Sequence, residues 1–507
     1  NPYTDEKRAD TILRCPEHLT TAEKIAEKSI VLLKNDGLLP IRKDLRSVAV
    51  IGPAADTVSY GDYTETRGRK GGVSVLDGIR AAVSPETEVL YERGCNFLGQ
   101  ALHPFDPSML RDENGEAGLT GHYYNGPVPQ GEPVQVRTDR TVNFNWIFAL
   151  PHPALDANCF SVVWTGSVVM PRTMDGCIGL STQDSMRLYV DDKLLIDGWG
   201  KDKSADQALD FHFEAGRTYK IRIEFVNDRR GARVIFGYSA GRENFPAVEA
   251  ARKADVAILC MGDNEETSGE NFDRTDLNLP GRQLELVQAV YATGTPVVLV
   301  LQSGRPVTAN WENDHLPAIL EAWFPGEQGG TAIAKTLFGD AAPGGRLPIT
   351  FPRSVGQIPC HYSRRPGGGK RYVEMDWLPL YPFGYGLTYT TFAYRDMALS
   401  RSVIDPQDTV TVSVTVTNTG KYNGDAVPQL YVRDMFSSVV KPERQLAAFR
   451  RLTLAPGESR RVELTVGPKQ LRTLGPDYVW RVEPGKFELQ LGDNAENILL
   501  RADLTVE

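Results

Sequence analysis

Two periodicities divide this chain. In the run that begins at Thr21, apolar Ile25, Ala26, Ile30 and Leu33 recur at helical spacing and predict a helix over Ala22–Leu33. Asn35-Asp36-Gly37 supplies turn chemistry, and after Pro40 the run Ser47–Ile51 (SVAVI) reads as a buried parallel strand that stops at Gly52-Pro53. A helix at Val75–Ala82 and a second strand at Thr87–Tyr91 follow. Helix and strand in alternation predict an open α/β sheet.

From about Gly118 to Gly237 the period becomes two. Phe144-Asn145-Trp146, Phe160–Trp164, Met186–Val190 and Tyr219–Phe225 are separated by Gly, Asp and Asn, the pattern of a β-sandwich or barrel. The α/β pattern then returns, with helices at Ala247–Ala254, Gln283–Ala292 and Thr331–Leu337 and strands at Val256–Met261 and Val297–Gln302. An all-β module is therefore expected inside one sheet domain, since insertions succeed where the ends of an exposed loop lie close together. Beyond Thr409 the alternating runs Val410–Val416, Gln429–Val432, Arg461–Val466 and Lys486–Leu491 predict a second β-sandwich.

Composition narrows the function. The 507 residues are enough for several hydrophobic cores, and with 41% hydrophobic and 24% charged residues the chain should fold throughout. A formal net charge of -9 and the lack of a dense basic stripe argue against nucleic acid as partner. The six cysteines show no CxxC spacing, so neither metal nor cofactor is expected; Cys159 and Cys177 are the one candidate disulfide pair. No stretch reaches the ~20 apolar residues of a membrane span, so no membrane partner is expected. The chain opens on Asn1-Pro2-Tyr3 without an initiator Met, which suggests a processed or truncated chain and leaves periplasmic, secreted and cytoplasmic locations open.

Candidate chemistry lies after the Val256–Met261 strand, because ligands of open α/β sheets sit beyond the carboxyl ends of the strands. There Gly262-Asp263-Asn264-Glu265-Glu266-Thr267-Ser268-Gly269-Glu270-Asn271-Phe272-Asp273-Arg274 concentrates carboxylates beside one aromatic and one guanidinium group. Composition alone leaves two readings open: a solvated acidic loop, or carboxylates close enough together to raise one pKa into the range of a general acid.

The string Ser268-Gly269-Glu270-Asn271-Phe272-Asp273-Arg274, followed by Leu279-Pro280, resembles the acid/base loop of family 3 glycoside hydrolases, with Asn271 and Phe272 in place of that family's Gly and Tyr. The resemblance extends to Ser29–Pro40, to Ala322–Gly330 with Leu337–Asp340 and Pro343–Pro348, and to Tyr381–Thr390. It implies that Glu270 is the general acid/base, with Glu265 as the alternative, and that Asp273 and Arg274 pair to hold the loop. For Trp323 and Phe383, packing is expected rather than stacking on sugar.

The insert resembles a PA14 domain through Gly121-His122-Tyr123-Tyr124, Phe160–Gly166, Asp184–Asp191 and Ile196–Trp199. Where sugar-binding PA14 lectins hold calcium between adjacent aspartates, this chain has Gln183-Asp184, so no calcium is expected; Asp191-Asp192 reads as a turn. The expected organisation is an exit segment from a barrel at 1–20, an α/β sandwich at 21–115 and 244–365, a PA14-like insert at 116–243, a linker at 366–404 and a fibronectin type III-like sandwich at 405–507.

The family's nucleophile is an Asp in a Ser-Asp-Trp-like string on a (β/α)8 barrel, and neither that string nor a barrel-length βα repeat occurs here. The resemblance thus implies part of a retaining exo-acting β-glycosidase that meets its oligosaccharide or glycoside substrate together with a barrel-containing polypeptide, and a homo-oligomer stays open. β-Glucosidase is the first activity implied. β-Xylosidase, α-arabinofuranosidase and a non-catalytic carbohydrate-binding or scaffold role are the alternatives.

Overall fold

The computed structural model describes residues 6–507 except 62, 65–70, 98–101, 147–149, 183, 201–206, 228–232, 241–245, 265–266, 271 and 368–370. A six-stranded sheet forms the first domain, in the spatial order Val31–Asn35, Ala318–Glu321, Val297–Gln302, Val256–Gly262, Ser47–Ile51 and Glu88–Glu92. All neighbours are parallel except the first pair. Successive residues of a strand point to opposite faces, and here both faces are covered. Val48, Val50, Ile258 and Val300 pack with helices Pro16–Ser29, Val75–Ala82 and Gly329–Leu337. Ala49, Ile51, Leu259 and Leu301 pack with Pro246–Lys253 and Gln283–Tyr291.

The helix expected over Ala22–Leu33 divides into a helix at Pro16–Ser29 and a strand at Val31–Asn35. Pro16, in the first helical turn, suits a helix start, whereas Val31, Leu32 and Leu33 bury both faces of a strand against Ala318–Glu321. Ile25, read as part of the apolar face, is 65% exposed. Helix Val75–Ala82 matches its predicted range, and Ser74 caps it by accepting the Asp77 N–H at 3.1 Å. It meets Gly329–Leu337 without side chains in between: a Cβ on Gly330 would lie 1.9 Å from the Ser74 carbonyl oxygen, and one on Gly78 would lie 2.2 Å from that of Gly330.

The inserted module is a β-sandwich of a seven-stranded and a five-stranded sheet around one core, in which Trp164, Tyr123, Phe160 and Phe225 are fully buried. It draws in residues before the expected boundary at 116, since His103–Pro104 and Leu110–Arg111 pair with its strands and Phe105 and Leu110 fill its core. The two cysteines that the sequence offers as a candidate pair belong to different sheets: Cys159 lies just before the Phe160–Val169 strand of one, and Cys177 lies within the Met174–Thr182 strand of the other. Asp191 and Asp192, at φ 49° and 63°, form the tight turn between Ser185–Val190 and Lys193–Asp197. Asp191 accepts the Lys220 backbone N–H at 3.0 Å, which uses this carboxylate for the turn. Gln183 lies outside the described residues.

The C-terminal sandwich begins inside the expected linker, because Phe392–Leu399 and Val403–Ile404 are already strands of its sheets. Asp425, nearly buried, fastens it to the first domain by accepting from Lys28 Nζ at 2.6 Å, Arg451 Nη1 at 3.0 Å and Thr453 Oγ1 at 2.6 Å.

Candidate functional site

The sheet reverses its winding direction between Ser47–Ile51 and Val256–Gly262, and the carboxyl ends of its central strands open there. Gly262 adopts φ 140°, and a Cβ at this position would lie 1.9 Å from the Gln302 carbonyl oxygen, so the chain can leave the strand tightly only at glycine. The buried Gln283 side chain ties down this exit by accepting the Gly262 N–H at 2.7 Å and donating to the Gly262 carbonyl at 2.9 Å.

Asp263 follows at once, with its side chain 2% exposed. Its carboxylate accepts from Arg274 Nη1 at 3.1 Å, Thr267 Oγ1 at 3.0 Å and Ser303 Oγ at 3.1 Å, and Arg305 Nε stands 3.6 Å away. A buried carboxylate needs such partners to stay charged. Arg274 continues outward, donating from Nη2 to the Asn278 carbonyl at 2.8 Å and lying 3.4 Å from Asp276. The loop is folded on itself by Ser268 N–H to Asn264 O at 2.9 Å and Phe272 N–H to Gly269 O at 3.3 Å.

Glu270 lies within the turn closed by the second bond and is exposed, as are Phe272 and Asp273. The loop thus exposes Glu270 while its base at Asp263 is buried. Arg274 holds the loop through Asp263 and Asp276 instead of the expected Asp273, because the buried carboxylate has the greater need of a cation. The alternative acid Glu265 and the variant position Asn271 lie outside the described residues.

Sequence reasoning gave no role to Asp263 and passed over Ser303, Arg305 and Glu321. Their common signal is position: each stands at or just after the carboxyl end of one of three neighbouring parallel strands. Glu321 is fully buried and accepts the Trp323 N–H at 2.8 Å. Burial pushes its carboxyl pKa well above the ordinary range, and the nearby Asp263 charge adds to this while hydrogen bonds from the Trp323 and Ser303 backbones oppose it. That hydrogen bond also holds Trp323 at φ 58°, where its ring packs edge-on to Phe351 with centroids 5.9 Å apart. Phe383 stacks on Tyr362 at 4.2 Å.

Comparison with known proteins places this geometry. The profile of the Glycosyl hydrolase family 3 C-terminal domain matches residues 30–389, and that of the Fibronectin type III-like domain matches 426–495. A β-glucosidase of Rhizobium radiobacter is 34% identical over 537 residues, an alignment that covers 98% of this chain and 63% of the relative. A β-xylosidase of Formosa agariphila is 45% identical over 302 residues, covering 57% of this chain and 42% of the relative. The chain therefore spans between 42% and 63% of these two curated relatives. Among solved structures, a β-glucosidase from Erythrobacter marinus superposes with a TM-score of 0.69 at 29% identity, covering all of this chain and 53% of that one. A β-glucosidase from Kluyveromyces marxianus gives a TM-score of 0.69 at 28% identity, covering 97% of this chain and 63% of that one. The α/β sheet with its carboxylate loop and the C-terminal sandwich are thus those of glycosyl hydrolase family 3, and the chain belongs to that family.

Proposed function

We propose that this chain supplies the general acid/base of a retaining exo-β-glycosidase, with β-glucosides as first substrates. The observation that carries the reading is Glu270: an exposed carboxyl group on a loop anchored at the carboxyl edge of the parallel sheet, within a sequence string that resembles the family's acid/base loop. Glu270 protonates the departing glycosidic oxygen while a carboxylate on the opposite side of the sugar attacks the anomeric carbon. Then Glu270 takes a proton from the water that hydrolyses the glycosyl-enzyme. Retention requires the two carboxyl groups about 5 to 5.5 Å apart. In this proposal the nucleophilic Asp comes from a (β/α)8 barrel outside these 507 residues, and the inserted sandwich, a PA14-like module, walls the entrance and limits substrate length. The Formosa agariphila β-xylosidase, 45% identical over the part it shares, supports xylosides as the second reading.

The test is a panel of aryl glycosides offered to enzyme containing both this chain and the barrel. Aryl β-glucoside turned over faster than β-xyloside and α-arabinofuranoside supports the first reading, and faster β-xyloside supports the second. No turnover of any member removes the glycosidase reading.

A further inference from the structure

Resting on the acid/base reading of Glu270, we propose that Arg305 is a positioning residue that closes the neck of the catalytic loop, with Asp263 as its counter-charge. Arg305 lies three residues past the Val297–Gln302 strand, on a different segment from the loop, and its side chain is largely buried. One nitrogen, Nη2, donates to the Thr267 carbonyl at 3.1 Å and to the Phe272 carbonyl at 3.4 Å. The four residues between those carbonyls are Ser268, Gly269, Glu270 and Asn271, so a single guanidinium group holds both ends of the projection that bears Glu270.

The surroundings fix the guanidinium in turn. Asp263 Oδ2 lies 3.6 Å from Nε, and Ser303 Oγ bridges the two segments: its one proton is shared between Asp263 Oδ2 at 3.1 Å and the Arg305 carbonyl at 2.6 Å, and it accepts the Arg305 N–H at 3.2 Å. Gly304 lets the loop lie flat on the strand exit, since a Cβ there would stand 2.7 Å from Ser268 Oγ and 2.9 Å from the Phe324 ring. A lysine would carry the charge but lacks the planar fork that reaches the loop carbonyls while facing the carboxylate. Displacing an acid by about 1 Å costs about 100-fold in rate. The loss falls mainly on substrates that need protonation of the leaving oxygen.

The experiment measures kcat/KM on an alkyl or cellobiose-type substrate and on a dinitrophenyl glycoside, using the barrel-containing enzyme, for the wild type, Arg305→Met, Arg305→Lys and Glu270→Ala. A loss of about 100-fold on the poor leaving group and only a few-fold on the activated one is expected for Arg305→Met, with partial recovery in Arg305→Lys. If Arg305→Met does not fold, Arg305→Lys and Asp263→Asn are expected to show a smaller loss that still falls mainly on the poor leaving group. Losses equal for both substrates in the Arg305 variants, with a selective loss in Glu270→Ala, overturn the positioning role alone. No selectivity in Glu270→Ala overturns the acid/base reading, and the positioning role falls with it.

Discussion

Arg274 Nη1 reaches the Asp263 carboxylate at 3.1 Å, so the far end of the exposed loop that carries Glu270 is bolted to the first residue beyond a fully buried strand. This arrangement reconciles two demands. In the proposed acid/base role, Glu270 has to be open to substrate, yet its geometry has to be held closely enough for proton transfer. Burying the charges at the base of the loop and leaving its tip exposed does both.

Glu321 ends a strand next to this base and makes the protein sensitive to pH. Its folded carboxyl group has a raised pKa, so between the unfolded value near ~4.3 and the folded value the folded state binds the extra proton. The stability it contributes is complete below the unfolded pKa and is lost as pH rises through the folded one. Glu321→Gln keeps the carbonyl that accepts from Trp323 and removes the titration. The variant is expected to melt near the wild type at pH 4 and above it at pH 8; parallel shifts at both pH values contradict this.

The contact between helices Val75–Ala82 and Gly329–Leu337 depends on glycine. Gly330→Ala would place a methyl group 1.9 Å from a carbonyl oxygen, and backbone cannot move aside as a flexible side chain would. A loss of about 2 kcal/mol is expected in urea unfolding. Gly115→Ala, at a turn with nothing within 4 Å but with φ 86°, provides the comparison, since it carries backbone strain without the clash. Its expected loss is smaller, about 1 kcal/mol.

Asp425 joins the first domain to the C-terminal sandwich. Burial alone would raise its pKa, but hydrogen bonds from Lys28, Thr453 and Arg451 outweigh it and hold the carboxyl below the ordinary range. Its stabilising effect is therefore present above the unfolded pKa and is lost as pH falls through the folded one. Asp425→Ala is expected to cost about 2 kcal/mol at pH 7, less than a fully buried pair because Lys28 and Arg451 are partly exposed. Calorimetry checks this, and the difference from wild type should shrink on acidification.

The regular parts of this fold were legible in the sequence. Ser47–Ile51, Val75–Ala82 and Val297–Gln302 fall on their predicted ranges because period and burial agree there. Val31–Asn35 was misread as helix because Ile30 and Leu33 fit a helical spacing, while the strand depends on a partner, Ala318–Glu321, nearly 300 residues away that was itself not predicted. The boundaries of both β-modules shifted outward for the same reason: His103–Pro104 and Phe392–Leu399 carry little pattern of their own and become strands by pairing. At the site, the position of the loop could be read but its anchoring could not. Asp263, the neighbouring Ser303 and Arg305, and Glu321 lie on three separate segments, and only the parallel register of three strands brings them together.

The central claim is that Glu270 exchanges the proton in both steps, and Glu270→Ala in the barrel-containing enzyme tests it most directly. With a dinitrophenyl glycoside, which needs little acid assistance, the variant should accumulate glycosyl-enzyme. Azide, which needs no general base, should then restore turnover and yield a glycosyl azide with the substrate's anomeric configuration, detectable by NMR. Unchanged slow hydrolysis in azide, with no azide adduct formed, would contradict the account and move the proton transfer to another carboxyl group.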